Sequence, residues 1–296
     1  MFDPGTAFRA AERLARMTSA RGATVSGGEP CVRDDLPGLV RMLARAVPEV
    51  HLATNGTLLD RGSARILADS GLAAFQVSIP AASAATLSGL CGDARIDRIF
   101  RGISAAASTG LPVSGALPLC SRNWAEAGVV LRLAFASGAS SFQIIPLAPG
   151  GRASHSWEEI RPSRDMIRGA LDLAMDAASV SGIPVYTGIP IRRCAVGGSL
   201  PEGIVNTGCT GAGPKWAVDP WGMLRPCEQI PLLLGDFLAD DFESVTSSRA
   251  VREFRTLPVD CAGCGEAAAC RGGCRAAAPE DSGPDGAGVR GSPTPP

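Results

Sequence analysis

The order of apolar and polar positions divides the first two thirds of the chain into alternating strand-like and helix-like segments. Short apolar runs bounded by turn residues predict strands, and longer runs with apolar residues three or four apart predict helices. The predicted strands cover residues 23–30, 50–56, 75–80, 113–119, 141–147 and 184–190. The predicted helices cover residues 5–21, 35–46, 60–70, 95–109, 123–137 and 163–181, and Asn123 with Glu126 resembles a capping box at the start of one of them.

Repeated strand–helix units indicate an α/β fold with a parallel sheet and helices outside it. We prefer an open or closed (β/α) barrel to a doubly wound sheet, although the pattern alone fits both. From about Ile191 the character changes, because Gly, Pro and Cys dominate and only one clear helix, at about 246–256, is predicted. The expected organisation is therefore a partial barrel over 1–190, a small loop-rich metal domain over 191–278 and a disordered tail over 279–296.

Charge and composition narrow the function classes. The chain has 28 basic and 29 acidic residues and a net charge of −1, which gives no indication of binding to nucleic acid or to an anionic membrane. No apolar run approaches the roughly 18–20 residues of a membrane span, and the first residues do not resemble a secretory signal. We therefore expect a cytoplasmic protein. Ten cysteines in a reducing compartment favour metal binding or redox chemistry over disulfides.

Six of the cysteines have a spacing suited to metal ligands. Four of them form a C-x2-C-x5-C-x3-C run: Cys261, Cys264, Cys270 and Cys274. Upstream, Cys209 and Cys227 flank Gly222 as C-x12-G-x4-C, and the stretch VDPWGMLRPC reads as a small hairpin with its turn at Asp219–Gly222. Thiolates suit iron–sulfur clusters, zinc or copper(I). A lone C-x2-C would favour zinc, whereas the combined spacing favours iron–sulfur.

A second set of candidates lies where predicted strands end. VSGGEP (25–30) places Gly27, Gly28 and Glu29 after the first strand, where glycines let a ligand approach the backbone and a carboxylate can accept from an ammonium. Thr54 and Asn55 end the next strand, and Ser78 ends the one after it. Ligand sites of barrels occupy this face. On the residues alone, strand-end capping explains Thr54, Asn55 and Ser78 equally well.

Together these motifs resemble a family. The cysteine spacing is similar to the SPASM auxiliary-cluster domain, which follows the barrel in radical S-adenosylmethionine (SAM) enzymes that mature ribosomally made peptides, such as PqqE-like and sactionine-type enzymes. The order VSGGEP, ATNGTLL and VSIP resembles the radical SAM barrel itself. The resemblance implies auxiliary [4Fe–4S] clusters, SAM as cofactor and a peptide substrate. It also implies that Gly27, Gly28 and Glu29 hold the amino end of SAM, with Thr54, Asn55 and Ser78 near its sugar and methionyl parts.

The resemblance also implies how the cysteines are shared. One cluster would use Cys209, Cys227 and Cys274, with Cys194 as a plausible fourth ligand. The other would use Cys261, Cys264 and Cys270 with a later cysteine, and this sequence has none after Cys274. Asp281 and Asp285 are candidate oxygen ligands in its place.

One motif of the family is absent. Radical SAM enzymes carry a C-x3-C-x2-C motif upstream of the glycine turn, and this sequence has no cysteine before Cys31. We therefore expect a barrel without its first strand that is unable alone to cleave SAM, and no catalytic residue is assigned. The strand edge left exposed would favour a partner protein that covers it. The alternative is a degenerate, non-catalytic iron–sulfur or zinc protein that binds a peptide or a partner.

Overall fold

A computed structural model describes residues 4–17, 20–92 and 94–277 of the chain. The predicted tail 279–296, and with it Asp281 and Asp285, lies outside the described residues. The first part of the chain forms one parallel sheet of six strands in sequential order, flanked by helices. The strands are β1 (Gly22–Val25), β2 (Glu49–Thr54), β3 (Ala74–Ser78), β4 (Val113–Leu119), β5 (Ser141–Pro146) and β6 (Val185–Thr187).

Strand order decides between the two α/β architectures that the sequence left open. Each strand pairs in parallel with the next one along the chain, from β1 through β6, and the order contains no reversal. A doubly wound sheet reverses its strand order at a switch point. The sheet is therefore wound in one direction throughout, as an open barrel, and all its strands present their carboxyl ends at the same edge.

The helices pack around this sheet. They are α1 (Pro4–Ala15), α2 (Leu36–Ala46), α3 (Arg61–Asp69), α4 (Ala84–Cys91), α5 (Ile96–Ala107), α6 (Ala127–Ala136), α7 (Trp157–Ile160) and α8 (Arg164–Ser181). Local signals fix several of their starts, because the side chains of Asp60, Ser83 and Ser163 accept hydrogen bonds from backbone N–H groups in the first turns of α3, α4 and α8. Among the described residues, no helix has the length and apolar character needed to cross a membrane.

Buried apolar side chains between sheet and helices form the main core. Phe75, Leu117, Phe142 and Ile144, on β3, β4 and β5, are at most 1% exposed. Complete burial of each such side chain contributes roughly 1.5–3 kcal/mol. The core therefore holds the middle strands firmly, and the loops that follow their carboxyl ends start from fixed positions.

Several details of the predicted barrel differ from the structure. The helix predicted over 123–137 is a 3-10 turn (Trp124–Glu126) followed by α6, and the Asn123–Glu126 capping box is not formed. Asn123, 1% exposed, instead accepts from the backbone N–H of Cys120 and donates to two carbonyl oxygens, those of Pro80 and Pro118, at 2.8 Å each. Tertiary hydrogen bonds therefore take precedence over the local cap.

The carboxylate of Glu126 is also used elsewhere: it accepts from the backbone N–H of Ala82 at 2.6 Å, just before α4. Helix α4 itself has no counterpart among the predicted helices. The helix predicted over 5–21 ends earlier, at Ala15.

The second part of the chain has its own small framework. It contains a three-stranded antiparallel sheet of β7 (Ala217–Val218), β8 (Met223–Arg225) and β9 (Gly235–Asp236), with helices α9 (Phe242–Thr246), α10 (Arg249–Arg255) and α11 (Ala267–Cys270). The predicted hairpin is confirmed: β7 and β8 pair across a turn in which Gly222 has a φ of +89°. A separate hydrophobic cluster includes Val251 and Phe254.

Helix α1 joins the two parts of the chain. Arg13 on α1 donates to the carbonyl oxygens of Leu238 (2.8 Å) and Asp240, and its guanidinium lies 5.5 Å from the ring centre of Phe237. These contacts hold the loop after β9 against the outside of the barrel. They restrict the position of the cysteine-bearing segment relative to the strand ends.

Candidate functional site

The glycine turn after β1 leaves open space beside its backbone. Gly27 has a φ of +149°, which L side chains rarely adopt, and a Cβ atom added at Gly27 or at Gly28 would meet no atom within 4 Å. Both residues are exposed. The turn therefore allows a ligand to come close to its backbone N–H and C=O groups, as the sequence predicted.

Glu29 joins the ends of β1 and β2. Its Oε1 accepts from the hydroxyl of Thr54 (2.6 Å) and from the backbone N–H of Cys31 (3.0 Å), and its Oε2 accepts from the backbone N–H of Asn55 (2.7 Å). A carboxylate offers about four acceptor positions, so one on Oε2 remains beyond these three bonds. Glu29 is thus held in a fixed orientation and can still accept from a ligand ammonium.

The turn after β2 is fixed by its own hydrogen bonds and by a close helix. Thr54 Oγ1 accepts from the backbone N–H of Gly56 (3.0 Å), and the carbonyl oxygen of Gly56 accepts from the N–H of Leu59 (3.2 Å). Gly102 of α5 packs directly on this turn, since a Cβ atom added there would lie 2.1 Å from the Gly56 oxygen. The backbone of the candidate site is therefore set by packing against α5.

The structure brings together most, but not all, of the predicted residues at this edge. Glu29, Thr54 and Asn55 share one hydrogen-bond network, and Ser78 is the last residue of β3, the neighbouring strand. Cys31 follows the glycine turn directly, and its Sγ lies 3.5 Å from Thr54 Oγ1. Burial raises the pKa of the Cys31 thiol to about 11, so the thiol is neutral at ordinary pH.

The seven candidate cysteine ligands fall into two electrostatically coupled groups. Burial, with smaller contributions from the neighbouring Cys227 and Cys209, raises the pKa of the Cys274 thiol to about 11. Burial also raises the pKa of the Cys261 thiol, Arg192 opposes this, and three other cysteines add to the increase: Cys270, Cys194 and Cys264. We call the first set the inner group (Cys209, Cys227, Cys274) and the second set the outer group (Cys194, Cys261, Cys264, Cys270).

The resemblance implies that Cys194 joins the inner group. In the structure Cys194 raises the pKa of the Cys261 thiol and therefore lies near the outer group. Cys194 and Cys264 are exposed, and Cys274 is buried. Arg275 lies beside both groups: burial lowers the pKa of its guanidinium, and Cys209, Cys261 and Cys270 raise it. Nothing in the spacing of the sequence had indicated a role for this arginine.

A cavity of about 290 Å³ opens beside the inner group. Cys209 lines it together with the basic side chains of Arg255, Arg271 and Arg275. Arg271 has a φ of +51°, and its guanidinium donates to the carbonyl oxygen of Cys209 at 3.5 Å. The side of the inner group on which Cys209 lies is therefore electropositive.

The donor atoms of both groups have the chemistry of cluster ligands. All ten cysteines are free thiols, and thiolate sulfur is the usual protein ligand of iron–sulfur clusters. In the part of the chain that the structure describes, no three His, Cys, Asp or Glu side chains converge tightly enough to hold a single metal ion. The donor set thus fits a cluster in its chemistry, and binding would have to draw the sulfurs together.

Comparison with known proteins agrees with this architecture. Residues 2–134 match the model of the Radical SAM superfamily. Over 262 residues the chain is 29% identical to the mycofactocin maturase MftC of Mycolicibacterium smegmatis, covering 86% of this chain and 65% of that protein. Over 119 residues it is 41% identical to the GTP 3′,8-cyclase of Acidothermus cellulolyticus, covering 37% of this chain and 32% of that protein. The chain thus spans less than two thirds of each of these relatives.

Solved structures show the same fold. Streptococcus suis SuiB bound to precursor peptide SuiA matches with a TM-score of 0.73 and 16% identity, covering 93% of this chain and 65% of that one. Native anSMEcpe with bound AdoMet (SAM) and Cp18Cys peptide matches with a TM-score of 0.66 and 16% identity, covering 93% and 81%. The protein therefore has the α/β fold of radical SAM enzymes.

Proposed function

We propose that the chain is a radical SAM/SPASM-type iron–sulfur protein that takes part in the maturation of a ribosomally made peptide. The observation that carries the proposal is the network of Glu29, Thr54 and Asn55 at the carboxyl ends of β1 and β2. It lies within the stretch that matches the Radical SAM superfamily. A fixed carboxylate beside an open glycine turn is suited to the ammonium and carboxylate of an amino acid.

SAM is the proposed ligand of this strand-end site. Its ammonium would donate a hydrogen bond to the remaining acceptor position on Glu29 Oε2. Its amino-acid end would lie along the backbone of Gly27 and Gly28. Thr54, Asn55 and Ser78 would face the methionyl and sugar parts. Within this proposal the hydrogen bonds from the Cys31 backbone N–H and the Thr54 hydroxyl hold the carboxylate in the orientation that faces the ligand.

A substitution at Glu29 tests SAM binding. Glu29→Gln removes the charge and places an amide among three hydrogen-bond donors, and a bond to a charged group is worth about 1.5–3 kcal/mol. We expect SAM to bind about 10-fold to 100-fold more weakly to this variant in equilibrium dialysis. The matched control is Glu49→Gln at the opposite, amino end of β2, which should bind SAM like the parent chain. Equal binding to all three chains, or to none of them, contradicts the proposal.

The cysteine-rich part, residues 191–278 in our proposed division, would hold auxiliary [4Fe–4S] clusters beside the barrel of residues 1–190. When bound, such clusters supply electron transfer and substrate binding. The chain supplies thiolates in two groups, the electropositive side of the inner group and the hydrogen bonds of Arg13 that hold this part against α1. Ten free thiols suit a reducing, cytoplasmic setting, which is part of the proposal.

A peptide is the proposed substrate class. Two of the proteins that share this fold are described with peptides bound, one with SuiA and one with the Cp18Cys peptide. Another similar protein is a GTP 3′,8-cyclase, but its match covers only 37% of this chain. The match to mycofactocin maturase extends across 86% of the chain and so reaches beyond the barrel into the residues after β6. Competition binding with a peptide library against GTP separates the two substrate classes.

Sheet strand β1 suggests a further partner. It is an edge strand in the described part of the sheet, and Gly22 and Thr24 on it are exposed. An exposed parallel edge offers unpaired N–H and C=O groups to another strand. We propose that a partner protein or segment covers this edge, and that the isolated chain associates or aggregates through it. A stable monomer in sedimentation experiments argues against this part of the proposal.

These 296 residues contain no C-x3-C-x2-C motif, so we propose that the chain by itself does not cleave SAM. The second candidate function rests on the same observation: a non-catalytic iron–sulfur or zinc protein that binds a peptide or a partner. The chain reconstituted with iron and sulfide should release no 5′-deoxyadenosine under reduction. Adding a peptide that carries the missing motif restores the product if the chain is part of an enzyme, and leaves it absent if the chain is a binding protein. Zinc without iron and sulfide would support the zinc form of the second candidate.

A further inference from the structure

The segment that follows β6 is tied in place before it reaches Cys194. Asn206 Oδ1 accepts from the hydroxyl of Thr187 (2.6 Å) and from the backbone N–H of Ile191 (2.9 Å), and its amide nitrogen donates to the carbonyl oxygen of Ile191 (3.0 Å). One side chain thus fixes both the end of the last strand and the backbone three residues before Cys194. The path of Cys194 is therefore set by the barrel.

The same segment packs against the C-x2-C-x5-C-x3-C run. The backbone N–H of Cys274 donates to the carbonyl oxygen of Pro190 (2.9 Å), and Arg192 Nε donates to the carbonyl oxygen of Gly272 (2.5 Å). Arg193, the neighbour of Cys194, forms an ion pair with Glu266 at 2.9 Å. Glu266 lies between Cys264 and Cys270 in the sequence, so this pair joins Cys194 to the loop of the outer group.

Gly273 shows how close this approach is. Its φ of +68° favours glycine, and a Cβ atom there would lie 2.3 Å from Arg192 Cγ and 3.2 Å from the Arg192 backbone nitrogen. Any other residue at this position would separate the two segments. The hydrogen bonds and the ion pair described above therefore require that the segment 190–194 lies directly against the segment 266–274.

We propose that Cys194 is the fourth ligand of the outer group and completes a four-thiolate site with Cys261, Cys264 and Cys270. This assignment rests on the proposed function, because it takes the cysteines to be cluster ligands. The outer group then holds one [4Fe–4S] cluster with a thiolate on each iron, and the four thiol protons leave to solvent on binding. The inner group keeps three thiolates, and Cys209 among them lines the cavity with three arginines.

Cross-linking of the metal-free, reduced chain tests the assignment without any cluster. Cys194 and Cys264 are both exposed, so a short bis-maleimide should join Cys194 to the outer group, and peptide mapping should identify the link. Cys91 is an exposed thiol on α4 and serves as the control that should not be joined to Cys194. Links from Cys194 to Cys209, Cys227 or Cys274 overturn the proposal. A chain in which Cys194 forms no link to the outer group overturns it as well.

Reconstitution with iron and sulfide provides the second test. In a C209S/C227S/C274S chain, only the outer group remains, and it should bind about four irons and four sulfides. Adding Cys194→Ser should change the electron paramagnetic resonance spectrum, because one iron loses its thiolate, and should speed the loss of iron to a chelator. Adding Cys91→Ser instead should change neither. Circular dichroism serves to check that each variant is folded. For a variant that is not folded, the cross-linking of the parent chain decides whether Cys194 belongs to the outer group.

The outcomes separate this assignment from the proposed function. If the C209S/C227S/C274S chain binds a cluster with the same spectrum and the same rate of iron loss with and without Cys194, the assignment is wrong and the proposed function stands. If Cys194→Ser instead lowers iron binding in a C261S/C264S/C270S chain, Cys194 belongs to the inner group. If neither triple variant binds iron and sulfide although both are folded, the proposed function itself fails, and only the cross-links still report on how the thiols are grouped.

Discussion

Replacing Gly102 by alanine should destabilise the protein through the turn that carries Asn55. The added Cβ atom would lie 2.1 Å from the carbonyl oxygen of Gly56, more than about 1 Å inside van der Waals contact. The obstacle is backbone, and that oxygen also accepts the Leu59 N–H, so the turn cannot yield without losing a hydrogen bond. Overpacking of this kind costs about 1–3 kcal/mol, and a backbone obstacle places it near the upper end. Alanine regains about 1 kcal/mol of helix propensity, which leaves a net loss of about 2 kcal/mol.

Gly89 on α4 is the matched control. It is also a helical glycine, but it is exposed and a Cβ atom there meets no atom within 4 Å. Gly89→Ala should therefore stabilise the protein by up to about 1 kcal/mol. With a urea m-value of about 3 kcal/mol/M, the midpoints of the two variants should differ by about 1 M in circular dichroism. A Gly102→Ala chain that is as stable as Gly89→Ala refutes the packing argument.

Three further predictions concern polar groups. Asn123→Asp leaves two partly buried carbonyl oxygens without their amide donor, so urea unfolding should show a loss of about 3 kcal/mol. A loss under about 1 kcal/mol would contradict the role of the amide. Asn206→Ala should lower the rate at which Cys194 is cross-linked to the outer group, because Asn206 holds the backbone at Ile191. The barrel should unfold at a urea concentration close to that of the parent chain. An unchanged cross-linking rate would contradict this role of Asn206. The pKa of the Cys31 thiol is about 11, whereas its ordinary value is 9.0, so alkylation of Cys31 at pH 8 should be about 100-fold slower in the folded chain than in the denatured chain. The rate in the folded chain should rise as the pH approaches 11. Equal rates in the two chains would contradict the burial of this thiol.

Strands with a strong apolar pattern could be predicted closely from the sequence. β4 was predicted at its observed bounds, Val113–Leu119, because turn residues bound a compact apolar run. Helix α4 has no such pattern, because its residues AATLSGLC carry no charge and no polar stripe, and only the cap at Ser83 marks its start. The pairing of Asn123 and Glu126 followed local helix chemistry, but both side chains bond to other loops. Local signals cannot reveal a partner 40 residues away in the sequence.

The candidate site was predictable where chemistry follows strand order. Glu29, Thr54 and Asn55 were grouped correctly because parallel strands end at one edge of the sheet. The sharing of the cysteines was not predictable in the same way. Spacing identifies a cysteine as a ligand candidate, but the neighbour of Cys194 is decided by the Arg193–Glu266 ion pair and the close approach at Gly273. Those contacts join segments about 70–80 residues apart, which no spacing rule describes.

The account rests most directly on one measurement: anaerobic reconstitution of the 296-residue chain, with iron and sulfide counted and the electron paramagnetic resonance spectrum recorded with and without SAM. The account predicts bound iron–sulfur clusters whose spectrum does not change when SAM is added, because the cysteines form auxiliary sites and no C-x3-C-x2-C motif is present. A chain that binds zinc but no iron and sulfide would contradict it. So would a spectrum that shifts with SAM, because one of these clusters would then bind SAM itself.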